Sequence, residues 1–183
     1  MVATFQQIGA TFSPDNRYSA HTQQALDAGR GSLDAPLEPL RTTFTVDSSR
    51  TVISYNDSPD VGFGRSINPY RGCEHGCVYC FARPSHAWLG LSPGLDFESR
   101  LFYKPDAPEL LRNELAARGY RPAPIAVGIN TDAYQPGERK LKITRRILEL
   151  LVECRHPFSI VTKSALIERD LDLLKEAAAH QLV

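Results

Sequence analysis

Short apolar runs and helical hydrophobic patterns alternate along the chain from residue 66 onwards. Two segments, 106–119 and 141–154, space their apolar residues like the buried face of a helix, and a third such segment starts after Asp170. Asp106 is predicted to cap its helix, Asp170 is predicted either to cap the next helix or to form an ion pair with Arg169, and Cys154 is predicted to be a buried thiol on the apolar stripe. The apolar runs have the length of buried strands and lie at 66–68, 100–103, 124–129 and 158–162.

Alternating strands and helices at this spacing predict a parallel sheet with helical crossovers. Four strand units are present, so the predicted fold class is α/β, a partial parallel β/α (TIM-like) barrel over residues 61–183. A complete barrel contains roughly 250 residues, about twice the length of this region. We therefore expect the N-terminal part of a barrel, apparently truncated, whose remaining strands come from further chain or from a partner.

Residues 1–60 show no sustained periodicity and are interrupted by prolines and glycines. They predict an irregular N-terminal arm or cap, and a poorly ordered leader is the alternative. Two strand-like runs, 42–46 and 51–55, are predicted to pair as a hairpin across residues 47–50.

Composition narrows the class of protein. The chain has 21 basic and 21 acidic residues, so it lacks the overall basic charge of most nucleic-acid-binding proteins. This balance does not exclude a local basic groove. It has no run of 18 apolar residues and no charged leader followed by an apolar segment, so we expect a cytoplasmic protein without membrane contact. In that compartment, four cysteines are more often metal ligands than a disulfide framework.

Three of the four cysteines, Cys73, Cys77 and Cys80, lie in one short loop with the spacing C-x3-C-x2-C. A cubane [4Fe–4S] cluster normally has four cysteine ligands, so three thiolates would leave one iron open to another ligand. A zinc site formed by the same cysteines and His75 is the alternative. The two-residue spacing of His75 from Cys73 and Cys77 makes that tetrahedron crowded.

Polar residues follow the third and fourth predicted strands. In a parallel barrel the carboxyl ends of the strands face the active site, so these residues are predicted to line it. For Asp132 and Ser164, capping of a local turn is the alternative. The polar residues are Asn130, Thr131, Asp132, Tyr134, Gln135 and Glu138 after the third strand, and Lys163 and Ser164 after the fourth.

Two further features have competing interpretations. His86, just after the cysteine loop, is either a pocket residue or a partner in a structural hydrogen bond. The basic run at 139–146 is interpreted first as the solvated face of an amphipathic helix, with a phosphate contact as the alternative.

The cysteine loop, with Tyr79 before its third cysteine, resembles the cluster loop of radical S-adenosylmethionine enzymes. Its flanks at 68–77, 79–86 and 94–98 resemble the spore photolyase-like branch, which is often labelled DNA repair photolyase. The resemblance covers about residues 57–183.

This resemblance implies an enzyme of lyase or photolyase type with two cofactors. A [4Fe–4S] cluster would be bound by Cys73, Cys77 and Cys80, and S-adenosylmethionine would chelate the open iron. Reduction by an external electron donor would cleave the sulfonium C–S bond and give a 5′-deoxyadenosyl radical, which takes hydrogen from a substrate. The implied cofactor contacts are Tyr79, Thr131, Asp132, Lys163 and Ser164, with Lys163 on the carboxylate of S-adenosylmethionine.

The resemblance also implies nucleic acid as a substrate class, but two residues differ from those found in the branch. Phe81 stands where spore photolyase has a tyrosine, and Ile129 stands at its hydrogen-donor cysteine. Neither side chain can relay hydrogen, so thymine-dimer repair by that mechanism is not expected. Gly72 and Gly76 are expected to let the backbone approach the cluster and donate N–H groups to its sulfides. The alternatives are a non-catalytic zinc- or cluster-binding nucleic-acid module and an inert truncated fragment.

Overall fold

The computed structural model describes residues 9–10, 13–18 and 41–183. Within these residues the chain forms two small mixed sheets and the helices that pack on them. The strands are β1 (Thr43–Val46), β2 (Ile53–Tyr55), β3 (Arg65–Ile67), β4 (Tyr70–Arg71), β5 (Arg100–Tyr103), β6 (Ile125–Val127) and β7 (Phe158–Ile160). The α-helices are α1 (Leu95–Ser99), α2 (Ala107–Leu115), α3 (Glu138–Leu141), α4 (Ile143–Glu153) and α5 (Leu171–Ala179), and two 3-10 helices span Arg83–Leu89 and Ala165–Asp170.

The larger sheet has the strand order β2-β3-β6-β7, and its three strands β3, β6 and β7 are parallel. Ile67 pairs with Val127, and Val127 pairs with Ile160, so these strands end level with one another. The segments that follow them therefore leave the sheet at the same edge. This edge is where the predicted site residues after the strands are expected to meet.

The smaller sheet has the order β1-β5-β4, and it corrects the predicted strand count. The strand at Arg100–Tyr103 forms as predicted, but it pairs with β1 in parallel and with β4 in antiparallel orientation. Three of the four predicted strands are thus parallel neighbours, and the two sheets do not close into a barrel within the described residues. An apolar run predicts that a strand exists, whereas its pairing depends on which partner the chain brings alongside it.

The predicted hairpin of residues 42–46 and 51–55 is wrong. Both strands form, but β1 pairs with β5 and β2 pairs with β3. The linker makes other bonds: Asp47 N donates to Tyr103 O at 2.8 Å, and the Asp47 carboxylate accepts from Arg71 Nε at 2.6 Å. These contacts hold the linker on the smaller sheet, so it does not close as a turn.

Part of the predicted arm belongs to the core. Val52 and Ile53 are buried in the main hydrophobic cluster together with Ile67. Within the predicted arm, strands β1 and β2 and the linker between them are therefore part of the two sheets. The rest of the predicted arm, at 1–8, 11–12 and 19–40, lies outside the described residues.

Helices α2 and α4 pack against each other and contribute buried residues to the main hydrophobic cluster. Leu111 of α2 is fully buried, and so are three residues on the predicted stripe of α4, Ile147, Leu148 and Leu151. The helical periodicity in these segments is therefore confirmed. No helix in the described part of the chain is long and apolar enough to cross a membrane.

Two local predictions about the helices are wrong. Cys154 is exposed, because α4 ends at Glu153 and Arg155 then adopts a positive φ of 50°, which turns the chain away from the stripe. Asp106 occupies an N-cap position, but its side chain makes no capping bond. Asp170 makes no capping bond either, but its alternative is confirmed, since the fully buried carboxylate forms an ion pair with Arg169 and another with Arg145.

His156 makes the stability of this fold dependent on pH. The buried imidazole lies 2.8 Å from Tyr120 OH through Nε2 and donates to Pro157 O at 2.9 Å through Nδ1. Burial lowers the pKa of His156 below its usual value near 6.5.

The unfolded chain therefore binds more protons than the folded chain once the pH falls below about 6.5. We expect the His156 contribution to the free energy of unfolding to be full above that pH and to be lost progressively as the pH drops below it. His156→Gln should reduce this slope in urea titrations, whereas the exposed His180→Gln should leave it unchanged. His86 is also buried with a lowered pKa, so some slope should persist. Equal slopes in the His156 variant and the native chain would contradict the assignment.

Candidate functional site

A cavity of about 290 Å³ lies where the cysteine loop meets the segments that follow β6 and β7. Eight of the twelve predicted site residues line it, namely Cys73, Cys77, Tyr79, Cys80, Asn130, Thr131, Asp132 and Lys163. The prediction is wrong for Tyr134, Gln135 and Glu138, which are fully buried and do not line the cavity. The remaining lining residues are Phe81, Gly128, Ile129, Val161 and Thr162. The structure therefore brings together the two halves of the predicted site, which are about 50 to 90 residues apart in sequence.

The three cysteines of the loop are free thiols. Cys73 is buried, and burial raises the pKa of its thiol to about 12, whereas Cys77 and Cys80 are half-buried. The loop backbone is held by a bond from Cys73 N to Phe97 O at 2.9 Å and by a turn from Cys80 N to Cys77 O at 3.1 Å.

The donor set suits a thiolate-bound metal centre, because three soft sulfur ligands border one cavity. As placed, no group of three or more His, Cys, Asp or Glu side chains in the described residues is close enough to hold a metal ion. Binding one centre would thus require the thiols to turn towards a common point. His75, the fourth ligand of the alternative zinc site, has its Nε2 3.3 Å from Asp132 Oδ2.

Gly72 is required by the packing behind the loop, which differs from the expected approach to a cluster. Its φ is +78°, and a Cβ there would lie 2.5 Å from Leu101 Cδ2 and 2.8 Å from Phe97 O. Gly76 also has a positive φ, of 59°, and its N–H donates to Cys73 O at 3.3 Å, closing the loop on itself. The expectation that this N–H points to a sulfide is therefore not supported.

Gly72→Ala should destabilise the fold for two reasons, the positive φ of the residue and the steric clash of the added Cβ. Gly90→Ala is the matched control, because Gly90 has a φ of +73° but nothing within 4 Å of its Cβ position. We expect about 1 kcal/mol for the control and at least about 2 kcal/mol for Gly72→Ala, measured by urea unfolding. Equal losses would show that the contacts with Phe97 and Leu101 relax without cost.

Asp132 ties the ends of β6 and β7 together. Its Oδ1 accepts from Thr162 Oγ1 at 2.7 Å and Tyr134 N at 2.8 Å, and Oδ2 accepts from Lys163 N at 3.1 Å. Burial alone would raise the pKa of Asp132, but the His75 contact and these hydrogen bonds lower it to about 2. Asp132 is therefore an anion whose oxygens are already used in holding the site.

Lys163 is the cation at the mouth of the cavity. Its Nζ contacts Cys77 Sγ, lies 3.4 Å from Tyr79 OH and sits 5.4 Å from the centre of the Tyr79 ring. The contact with Cys77 raises the pKa of Lys163 to about 12, so the ammonium is charged at neutral pH. It forms no ion pair with a carboxylate of the described residues. Because Tyr79 is 81% exposed, ring and ammonium together face open space.

Three other residues considered for the site are hydrogen-bonded to the protein backbone. Thr131 lines the cavity, but its hydroxyl donates to Tyr70 O at 2.8 Å. Ser164 does not line it; its hydroxyl accepts from Leu166 N at 3.3 Å and so caps the following 3-10 helix, as the alternative predicted. His86 is fully buried and bonds to Arg100 O at 2.9 Å, so it is a structural residue.

Two of the five basic residues in the run at 139–146 are engaged in intramolecular contacts, and Arg139, Lys140 and Lys142 are exposed. Arg145 is bound by Glu149, Asp170 and Asp172, and Arg146 Nη2 donates to Pro105 O at 2.8 Å. These contacts neutralise or occupy the two arginines. They support the helix-face interpretation over the phosphate contact.

Arg83 was missed by sequence reasoning, although it lies only three residues after Cys80. Its guanidinium donates to Cys77 O at 3.0 Å and Gly94 O at 3.2 Å and forms an ion pair with Glu98. Glu98 in turn accepts from Ala10 N at 2.8 Å. Its position close to the loop could have indicated a role in holding the loop. Its bonds to main-chain carbonyl groups could not be predicted, because residue types do not show where those groups lie.

Comparisons with known proteins give relatives without an assigned activity. No family model matches the chain, and no solved structure matches it. An uncharacterized protein of Mycobacterium tuberculosis is 42% identical over 116 residues, which are 63% of this chain and 34% of that protein. An uncharacterized protein of Methanocaldococcus jannaschii is 36% identical over 116 residues, 63% of this chain and 41% of that protein. The chain thus spans well under half the length of the curated relatives it matches.

Proposed function

We propose that the chain is part of a radical S-adenosylmethionine enzyme of the spore photolyase-like branch. The observation that carries this proposal is the shared cavity, since three free thiols border the same space as Asp132 and the Lys163–Tyr79 pair. Cys73, Cys77 and Cys80 would hold a [4Fe–4S] cluster. The parallel strands β3, β6 and β7 support a partial β/α barrel as the proposed fold.

A bound cluster with S-adenosylmethionine supplies one-electron cleavage of the sulfonium bond and hence a 5′-deoxyadenosyl radical, with the electron drawn from an external donor. The chain's own residues bind and orient. The Lys163 ammonium would pair with the carboxylate of S-adenosylmethionine, with the Tyr79 ring beside the ammonium. Asp132 keeps the ends of β6 and β7 in place beneath Lys163.

Phe81, Ile129 and Val161 supply apolar surface to the cavity lining, and Phe81 and Val161 are more than half exposed to solvent. Neither Phe81 nor Ile129 has a hydroxyl or thiol, so these positions offer no hydrogen relay to a substrate. Nucleic acid stays the proposed substrate class on the resemblance, and the exposed rings of Tyr79 and Phe81 would permit base stacking. The four free thiols support a reducing, cytoplasmic location.

The test is anaerobic reconstitution with iron and sulfide, followed by dithionite and S-adenosylmethionine. We expect a brown protein with broad absorbance near ~400 nm and release of 5′-deoxyadenosine, quantified by chromatography. Omitting dithionite should abolish the release. A protein that takes up zinc only and never cleaves S-adenosylmethionine would refute the proposal and favour the zinc-binding module.

A further inference from the structure

The stretch that carries Cys73 is joined to the segment after β6 by a seam of hydrogen bonds. Tyr70 O accepts from Thr131 Oγ1 at 2.8 Å, and Tyr70 OH donates to Glu138. At the other end of the stretch, the Glu74 carboxylate accepts from Gly137 N at 2.7 Å. Cys73 therefore lies in the middle of a strip whose two ends are anchored to one segment.

Gln135 bonds to this strip on both sides of Cys73. Its Oε1 accepts from Glu74 N at 3.0 Å, and its Nε2 donates to Gly72 O at 3.3 Å. The amide orientation is set by its partners, because an N–H needs an acceptor and a carbonyl needs a donor. With the bond from Cys73 N to Phe97 O at 2.9 Å, the peptide groups on both sides of Cys73 are fixed.

Gln135 is fully buried and does not line the cavity. Its amide would be expensive to bury without partners, so its two bonds account for a polar side chain at this position. Any effect of Gln135 on the site must therefore pass through the backbone of the cysteine loop.

We infer that Gln135 is a positioning residue for Cys73, and that it sets the direction of that thiol relative to Cys77 and Cys80. The effect on cluster binding rests on the proposed function, because it requires that Cys73 is a cluster ligand. The placement of the Cys73 thiol does not. Hydrogen-bonded partners that orient metal ligands typically change metal affinity by about 10–100-fold when they are lost.

The first test uses the metal-free, reduced protein. Gln135→Met keeps the length of the side chain and removes both bonds. Iodoacetamide modification is followed by mass spectrometry at Cys73, with the exposed Cys154 as the internal reference. The ratio of the Cys73 rate to the Cys154 rate should rise about tenfold, the factor that about 1.4 kcal/mol of lost bonding gives. Gln181→Met, the same change at an exposed glutamine, should leave the ratio unchanged.

A folded Gln135→Met protein with an unchanged ratio would overturn the inference. Should that variant fail to fold, Gln135→Glu carries the test, since it keeps the oxygen that accepts from Glu74 N and loses the donor to Gly72 O. Its ratio should also rise, and an unchanged ratio would again overturn the inference.

The second test uses reconstituted protein. Gln135→Met should lose cluster iron to a chelator about tenfold faster than the native chain, and the electron paramagnetic resonance line shape of its reduced cluster should change. Identical iron loss and line shape would refute the role of Gln135 while leaving the proposed function intact. The native chain could instead fail to take up a cluster while the alkylation ratio is still raised in the variant. That result would refute the proposed function but support the role of Gln135 in placing Cys73.

Discussion

Anaerobic reconstitution of the Cys80→Ala protein should give a colourless protein. The native chain has three thiols around the cavity, and removing one leaves two protein ligands for a cluster that already has one fewer than usual. We expect the absorbance near ~400 nm to fall to the background of the apoprotein and the release of 5′-deoxyadenosine to be lost. Iron and sulfide analysis of the desalted protein measures the outcome.

Cys154→Ala is the matched control for this loss. It removes the fourth cysteine, which is exposed at the end of α4 and does not line the cavity. Its cluster content should equal that of the native chain. If Cys80→Ala retained full iron content, or if Cys154→Ala lost it, the ligand assignment would be wrong. Circular dichroism of both apoproteins should show that each variant is folded.

Glu138→Ala should cause a large loss of stability. The Glu138 side chain is fully buried and accepts from Tyr70 OH, from Thr144 N at 3.0 Å and from Arg169 Nη2 at 2.9 Å. Its removal leaves these donors without their acceptor, and breaking a buried ion pair in this way costs about 3–5 kcal/mol. Urea unfolding of the metal-free protein should show a loss of at least about 3 kcal/mol.

Glu149→Ala is the control for Glu138→Ala. Glu149 pairs with Arg145 at 3.0 Å on the helix surface, with its side chain 47% exposed. Surface pairs of this spacing contribute about 0.3–0.5 kcal/mol, so the control should be almost neutral. A similar small loss for both variants would mean that water replaces the carboxylate of Glu138.

The strands and the two main helices could be predicted from the sequence because each depends on local periodicity. The stripe of Ile147, Leu148 and Leu151 is buried as predicted. Pairing could not be predicted in the same way. The partner of β1 is β5, which follows it by more than fifty residues, so the pairing depends on contacts that are distant in sequence.

Residues at the ends of elements were the least predictable. Cys154 fits the apolar stripe by spacing, yet it is exposed because α4 ends one residue earlier. Asp170 could be predicted to pair with its neighbour Arg169, whereas its second ion pair, with Arg145, could not, because Arg145 lies on a different helix. In each case a contact distant in sequence or the end of a helix outweighed a weak local preference.

By itself, the sequence of this protein determined the three-cysteine loop and the polar groups after two strands, because spacing and residue type carry that chemistry. Only the tertiary structure decided that Lys163 meets Cys77 and Tyr79, and that Ser164 and His86 do not line the cavity. It also showed Gln135 bracketing Cys73. The physical reason is that buried polar atoms must find partners, and folding brings those partners together from distant parts of the chain.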